Sequence, residues 1–157
     1  LGVLTPGSEG VEWLAADFDH TPRPTGHETW IGDTDRVFFS SDVRSDDETN
    51  VWTVGVGDSS PKIGCEGAAR FGHVSVTKCG RYFIADAFTE GVPIYIGSLE
   101  SGRYLKVVDS KTVNDSQQSH THPYLTTDNR WLIYTSSRTG TPQVYGAKVP
   151  SAFVDSL

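Results

Sequence analysis

A threefold internal repeat constrains the fold of this chain more than any other feature. Each unit begins with a histidine, continues through a short β-rich run, a polar turn, an arginine and an aromatic-aliphatic run, and ends in another β-rich run. The aligned histidines are His27, His73 and His122, which lie 46 residues (73 − 27) and then 49 residues (122 − 73) apart. Repeats of about 40–50 residues with three or four short antiparallel strands are typical of β-propeller blades.

The rest of the chain fits this interpretation, because short β-rich runs are separated by Gly, Asp, Asn, Ser and Pro clusters without sustained helical periodicity. The best predicted strands are residues 36–40, 51–56, 82–85, 93–97, 131–135 and 143–148. We predict an all-β fold of about three four-stranded antiparallel β-propeller blades. Residues 1–157 then form a single propeller segment with repeats at about 26–70, 71–116 and 117–157. Closed propellers usually have four to eight blades, so we expect a partial propeller that is completed by further blades or by a second copy.

Charge and composition narrow the range of partners. The net charge is −7 and the 13 Lys and Arg residues form no cluster, which argues against nucleic acid or an anionic membrane surface as a partner. No apolar run approaches the roughly 20 residues of a membrane span, and no signal peptide is visible, so we expect a cytoplasmic protein. The two cysteines, Cys65 and Cys79, are too few for a disulfide framework. Their number favours free thiols, and a single disulfide bond between them stays an alternative.

One short segment has the residue types of a metal site. His120 and His122 are two positions apart, and in an extended strand their side chains would project from the same face. Two imidazoles on one strand can bind a metal ion together, and Gln117 can add a carbonyl oxygen. Since equivalent positions of successive blades lie around one axis, we also expect His27, His73 and His122 to converge.

Simpler alternatives stay open at this point. His120 and His122 are also consistent with a pair of histidines on a solvated loop. His27 is also consistent with a histidine that hydrogen-bonds strand backbones near the channel. His20, in an Asp-Phe-Asp-His-Thr-Pro segment, is predicted to be an ordinary loop residue.

The repeat motifs resemble those of a known family. Residues 26–30 (Gly-His-Glu-Thr-Trp), 72–76 (Gly-His-Val-Ser-Val) and 117–123 (Gln-Gln-Ser-His-Thr-His-Pro) are similar to the oligogalacturonate lyases of polysaccharide lyase family 22. Residues 134–145 resemble the last blade of that family, and the likeness covers about residues 26–150. The resemblance implies a seven-bladed propeller that cleaves short pectin fragments by β-elimination with the help of manganese.

The resemblance also implies roles for individual residues. The metal ligands would be His73, Gln117, His120 and His122, and the catalytic base would be His27. The family uses a further arginine from a blade upstream of the Gly-His-Glu motif, which has no match here, so the chain alone is expected to be poorly active. The substrate would be an oligogalacturonide or another uronate oligosaccharide, and the cofactor a divalent metal, in the first place Mn²⁺.

The chemistry of uronate elimination suits such ligands. The proton at C5, next to the carboxylate, is weakly acidic, and a cation on the carboxylate stabilises the charge that builds there. Imidazoles and an amide are neutral, so the ion keeps its full charge, although such ligands suit Fe²⁺, Co²⁺, Ni²⁺ and Zn²⁺ as well as Mn²⁺. Two alternatives remain: a non-enzymatic TolB-like propeller that serves as a protein-interaction platform, and a related metal-dependent propeller that acts on another uronate.

Overall fold

The computed structural model describes residues 1–16, 23–42, 49–113 and 115–157, which form short strands and two short helical segments. The first strands are β1 (Gly2–Leu4), β2 (Val11–Trp13), β3 (Pro24–Trp30), β4 (Arg36–Ser41), β5 (Val51–Gly55) and β6 (Lys62–Ile63). They are followed by β7 (Phe71–Val76), β8 (Tyr82–Ala87), β9 (Pro93–Ser98), β10 (Tyr104–Asp109), β11 (Tyr124–Leu125), β12 (Trp131–Ser136) and β13 (Gln143–Lys148). The helical segments are a 3₁₀ turn (Gln117–Ser119) and α1 (Ser151–Asp155). No helix in the described part of the chain is long and apolar enough to cross a membrane.

The strands form four antiparallel sheets in which neighbours in the chain are also neighbours in the sheet. β1 and β2 form a hairpin, β3 to β6 the first blade, β7 to β10 the second blade, and β11 to β13 the third blade. This arrangement confirms the predicted all-β propeller fold. The first and second blades have four strands each, and the third blade has three strands among the described residues.

The strand bounds follow the sequence pattern closely. The six predicted runs coincide with β4, β5, β8, β9, β12 and β13, and every bound agrees within two residues. Turn residues explain part of this agreement. Gly80 (φ 71°) and Asn129 (φ 57°) adopt left-handed conformations at equivalent positions, just before the arginine that precedes β8 or β12, and Gly and Asn tolerate this conformation best.

Aromatic and aliphatic side chains fill the two spaces between the three blades. Phe38 of β4 stacks on Phe83 of β8 between the first and second blades, with ring centroids 5.1 Å apart. Ile84, the next residue of β8, packs in a second cluster with Leu132 and Tyr134 of the third blade. Because successive residues of a strand face opposite sides, the second blade is buried on both faces and holds the other two in place.

The first strands of the first and second blades are both irregular at a Gly-His pair. The pairing of β3 with β4 changes register within residues 24–28, and that of β7 with β8 within residues 71–74. In the first of these, Gly26 has a positive φ of 92°. A β-bulge bends its strand and redirects the side chains in it. His27 and His73 lie inside these two irregular stretches, so they occupy equivalent positions in the first and second blades.

Both cysteines are free thiols, in contrasting surroundings. Cys65 lies in the core between the first and second blades, and burial raises the pKa of its thiol to about 11. Cys79 is exposed in the turn before β8. Partial burial alone would raise the pKa of Cys79, but hydrogen bonds with Thr77 and Arg81 and the charge of Arg81 lower this pKa to about 7.

We expect iodoacetamide to alkylate Cys79 and to leave Cys65 unmodified in the folded protein. The thiolate is the reactive form, so the alkylation rate should rise with pH and reach half of its maximum at about pH 7. Timed labelling followed by mass spectrometry of the peptides measures both quantities. A Cys79→Ser variant is the control and should stay unlabelled. A labelled Cys65, or a midpoint near the ordinary thiol pKa, would contradict this description.

Candidate metal centre

Three histidines from the second and third blades converge. His73, His120 and His122 each place a ring nitrogen within 4.8 Å of the others. The ring centroid of His73 is 4.2 Å from that of His122 and 4.9 Å from that of His120, and the last two are 6.0 Å apart. Two nitrogens bound to one ion at about 2.1 Å are themselves roughly 3–4 Å apart. Small side-chain rotations therefore bring this cluster to ligating distance.

His73 comes from the irregular start of β7 and is buried. The residue before it, Gly72, has no side chain, and a Cβ there would lie 2.7 Å from Oδ1 of Asp86 and would collide with the ring of Phe88. Glycine at this position therefore makes room for the carboxylate and the aromatic ring that both contact His73.

His120 and His122 lie in a segment that differs from the predicted extended strand. The 3₁₀ turn ends at Ser119, His120 is extended (φ −64°, ψ 143°), and His122 has a positive φ of 40°. Pro123 is one physical reason, since it has no N–H to donate to a strand ladder. A positive φ in a non-glycine residue costs on the order of 1–3 kcal/mol, and such strain is concentrated at functional sites. Both rings nevertheless contact His73.

A buried carboxylate that the repeat pattern does not reveal lies beside the cluster. Asp86 of β8 has no solvent exposure. It accepts hydrogen bonds from the backbone N–H and the Nδ1–H of His73, both at 2.8 Å, and from the hydroxyl of Thr121. The sequence did contain a signal, because Asp86 is the one charged residue in the run Tyr-Phe-Ile-Ala-Asp-Ala of β8. Carboxylates are rarely buried unless they are paired.

The nitrogen atoms of the cluster fit a divalent metal that accepts neutral ligands. Nδ1 of His120 is buried and has no hydrogen-bond partner among the described residues, a situation that costs about 1–3 kcal/mol and that a metal ion would relieve. Because Nδ1 of His73 is bonded to Asp86, its Nε2 is the nitrogen with a free lone pair. Burial, with repulsion from His73, lowers the pKa of His122, which favours the neutral form that binds metals.

The structure says less about the predicted ligand Gln117 and about His20. Gln117 opens the 3₁₀ turn with an exposed side chain, three residues before His120, and its role as a ligand stays a prediction. His20 lies outside the described residues. The structure therefore brings together three of the four predicted ligands, and their role in metal binding is a matter for experiment.

His27 lies next to the cluster on the side of the first blade. Its ring centroid is 4.6 Å from that of His73, and its Nδ1 is 3.4 Å from Oγ1 of Thr25. Burial lowers the pKa of His27, and His73 lowers it further, against opposing effects of Asp86 and Glu28. The lowered pKa favours the neutral form of His27, which is the form that a general base needs. Its catalytic role stays a prediction.

An open cavity of about 420 Å³ adjoins the cluster and is lined by Phe88, Thr89, Val92 and His120. Phe88 is 56% exposed, and its ring centroid lies 5.4 Å from that of His73. The volume lies within the range of about 300–1,000 Å³ that is usual for small-molecule sites. A small ligand in this cavity would contact both an aromatic ring and a histidine of the cluster.

Fold and site together define a β-propeller chain with a three-histidine cluster beside a fourth histidine. No protein-family model matches the chain. Two curated proteins are similar to it over 64 residues: the oligogalacturonate lyase of Dickeya dadantii (strain 3937) at 31% identity and the oligogalacturonide lyase of Pectobacterium atrosepticum at 33%. The similar segment covers 38% of this chain and 16% of each relative.

Solved structures share the fold. An oligogalacturonate lyase in complex with manganese gives a TM-score of 0.66 at 21% identity over 82% of this chain. An oligogalacturonate lyase from Vibrio parahaemolyticus gives 0.64 at 19% identity over 81% of this chain. TolB from Acinetobacter baumannii gives a TM-score of 0.62 at 18% sequence identity. The similar region covers 78% of this chain and 29% of TolB. The chain is thus similar to oligogalacturonate lyases in part of its sequence and in its fold, and it spans 36% of the length of the two solved lyases.

Proposed function

We propose that this chain is part of a metal-dependent lyase that cleaves short oligogalacturonides by β-elimination. The observation that carries the proposal is the convergence of His73, His120 and His122, with the ring of His27 next to that of His73. The sequence similarity to two oligogalacturonate lyases supports the same reaction. The similarity in fold to an oligogalacturonate lyase in complex with manganese supports the same metal.

In this proposal the site separates the stabilisation of charge from the removal of the proton. The three histidines, with Gln117 as a candidate fourth ligand, would hold a divalent cation, in the first place Mn²⁺. When bound, the cation would supply positive charge beside the uronate carboxylate. His27 accepts the proton from C5. The C5–H bond breaks, a double bond forms between C4 and C5, and the bond from C4 to the glycosidic oxygen breaks. The released oxygen keeps the electron pair of that bond and takes up a proton from water to become a hydroxyl group. A base must be neutral to do this, and the lowered pKa of His27 favours the neutral form.

Phe88 and the cavity beside it offer a place for the sugar. The ring of Phe88 is close to both blades of the site, with centroids 5.4 Å from His73 and 6.4 Å from His120. Aromatic rings combine a large apolar face with a fixed geometry, and the C–H face of a pyranose ring can pack against such a face. A uronate held there would present its carboxylate to the histidines. Another uronate would fit the same description and stays open as the substrate.

The sheets at the two ends of the described fold expose apolar side chains. Leu4 and Trp13 of the β1–β2 hairpin are 70% and 75% exposed, and Tyr124 and Val144 of the third blade are 51% and 75% exposed. The second blade, in contrast, is buried on both faces against its neighbours. Further blades packed on the two end faces would bury these side chains in the same way, which supports a larger propeller.

The function is tested by incubating the chain with digalacturonate in the presence of either Mn²⁺ or EDTA. We expect unsaturated uronate product only with Mn²⁺, detected by ultraviolet absorbance and mass spectrometry, and one Mn²⁺ bound per chain by calorimetry. Turnover should be slow, because the arginine of the family has no match here, so long incubations are needed. Product formation that is unaffected by EDTA would contradict the proposal. A folded chain that binds no divalent metal would favour a protein-interaction platform instead.

A further inference from the structure

We propose that Asp86 is the positioning residue of the histidine cluster and orients all three histidines through one buried carboxylate. It acts on His73 directly, and it acts on His120 and His122 through Thr121, which lies between them in the chain. The inference rests on the proposed metal site, but it can be tested separately from it.

The direct contact is a pair of hydrogen bonds to one residue. Oδ1 of Asp86 accepts the backbone N–H of His73, and Oδ2 accepts its Nδ1–H, both at 2.8 Å. The two side chains are buried, with 0% exposure for Asp86 and 4% for His73. Since a carboxylate can only accept, the ring proton of His73 is held on Nδ1. Its Nε2 then keeps the lone pair for a metal, and the ring cannot rotate without breaking the bond.

Thr121 extends the influence of the same carboxylate to the third blade. Its hydroxyl donates a hydrogen bond to Oδ2 of Asp86, and its backbone carbonyl accepts the N–H of Thr135 in β12 at 2.9 Å. Thr121 is fully buried, and its two neighbours in the chain are His120 and His122. Because Thr121 is held through both its side chain and its backbone, the backbone that carries these two histidines is fixed relative to the second blade.

An amide cannot replace the carboxylate at this position. Asparagine has one acceptor oxygen and one donor NH₂ group, whereas the bonds to His73 and Thr121 require acceptors at both oxygen positions. In an Asp86→Asn variant, the NH₂ group of the amide would face at least one of the present donors, which are the N–H groups of His73 and the hydroxyl of Thr121. If the NH₂ group faces Nδ1 of His73, the ring proton must move to Nε2, and the lone pair for the metal is lost.

The first test compares Mn²⁺ affinity among variants of the full chain by calorimetry. Asp86→Asn should weaken binding by about 10- to 100-fold, the usual effect of losing the outer partner of a metal-binding histidine. Thr121→Val should weaken binding by about two- to tenfold, because it removes one hydrogen bond. Thr49→Val is the matched control. Thr49 is equally buried but donates its hydrogen bond to the carbonyl of Ala69, so the affinity should equal that of the wild type.

The second test needs no metal. Long-range ¹H–¹⁵N correlation spectra of the metal-free protein show which nitrogen of a neutral histidine carries the proton. His73 should carry it on Nδ1 in the wild type and in Thr49→Val, and the population should shift towards Nε2–H in Asp86→Asn. A purely structural role for Asp86 would lower the melting temperature of the variant but would not change the tautomer.

Each outcome decides the inference. A wild-type His73 with its proton on Nε2 would overturn it, and so would unchanged Mn²⁺ affinity in both Asp86→Asn and Thr121→Val. If Asp86→Asn does not fold, the wild-type tautomer and the affinity of Thr121→Val decide. If the wild type binds no Mn²⁺ while His73 has the expected tautomer, the proposed function fails and the positioning role of Asp86 stands.

Discussion

Replacement of His27 by alanine should lower the rate of uronate cleavage by about 10²- to 10⁴-fold, the usual contribution of a positioned acid or base, and leave the affinity for Mn²⁺ unchanged. The ring of His27 lies 4.6 Å from that of His73, so it can reach a substrate whose carboxylate is bound at the cluster. It is not one of the three histidines whose ring nitrogens converge. Single-turnover rates with digalacturonate and calorimetry with Mn²⁺ measure the two quantities.

Two further variants separate loss of the base from loss of structure. His27→Gln keeps a polar side chain of similar length without a basic nitrogen, so it should lose as much activity as His27→Ala. Added imidazole should restore part of the activity of His27→Ala, because the missing ring leaves space for it, and should not restore His27→Gln. Lys106→Ala, an exposed site on β10, is the control and should keep full activity. Retained activity in His27→Ala would rule out the base role.

The blade pattern is predictable from the sequence because it depends on local signals. β13 has its predicted bounds at both ends, and β8 and β12 each begin directly after the predicted turn and its arginine. Gly80 and Asn129 adopt positive φ at equivalent places in these two turns. Each of these features depends on residues that are close in the chain, and the repeat then shows that the same local structure occurs three times.

The repeat predicts that the histidines converge, but it does not predict the backbone geometry that brings them together. His120 and His122 were expected to share one face of a strand, whereas the segment before Pro123 is irregular and His122 has a positive φ. The following proline disfavours the right-handed helical region for the residue before it, but it does not select the positive φ of His122. A local sequence pattern therefore could not predict the conformation of His122. Tertiary contacts, such as the hydrogen bond from Thr121 to Asp86, hold this segment in place.

Asp86 could not be found from the repeat because the other units have no carboxylate at the same place. Counting five residues from each repeated arginine (36 + 5, 81 + 5, 130 + 5) gives Ser41, Asp86 and Thr135. The partner of Asp86 in the third blade, Thr121, is 35 residues further along the chain. Only the packing of one blade on the next brings the two together, and local propensity carries no information about that contact.

Replacement of His120 by alanine should lower the affinity for Mn²⁺ by at least about 100-fold, because it removes a ligand nitrogen, and even the loss of an outer partner costs about 10- to 100-fold. Nδ1 of His120 is buried without a hydrogen-bond partner among the described residues, so its removal should not lower the melting temperature of the metal-free protein. A ligand that binds only the folded state stabilises it. Mn²⁺ should therefore raise the melting temperature of the wild type and not that of His120→Ala.

His27→Ala is the matched control for this experiment, since it removes the same side chain next to the same cluster. It should keep both the Mn²⁺ affinity and the thermal shift, because among the described residues the histidines whose ring nitrogens converge are His73, His120 and His122. If His120→Ala kept its affinity while His27→Ala lost it, the ligand set would be wrong and His27 would be a ligand rather than the base. Calorimetry on these two variants therefore decides which histidine holds the metal and which one is left to accept the proton.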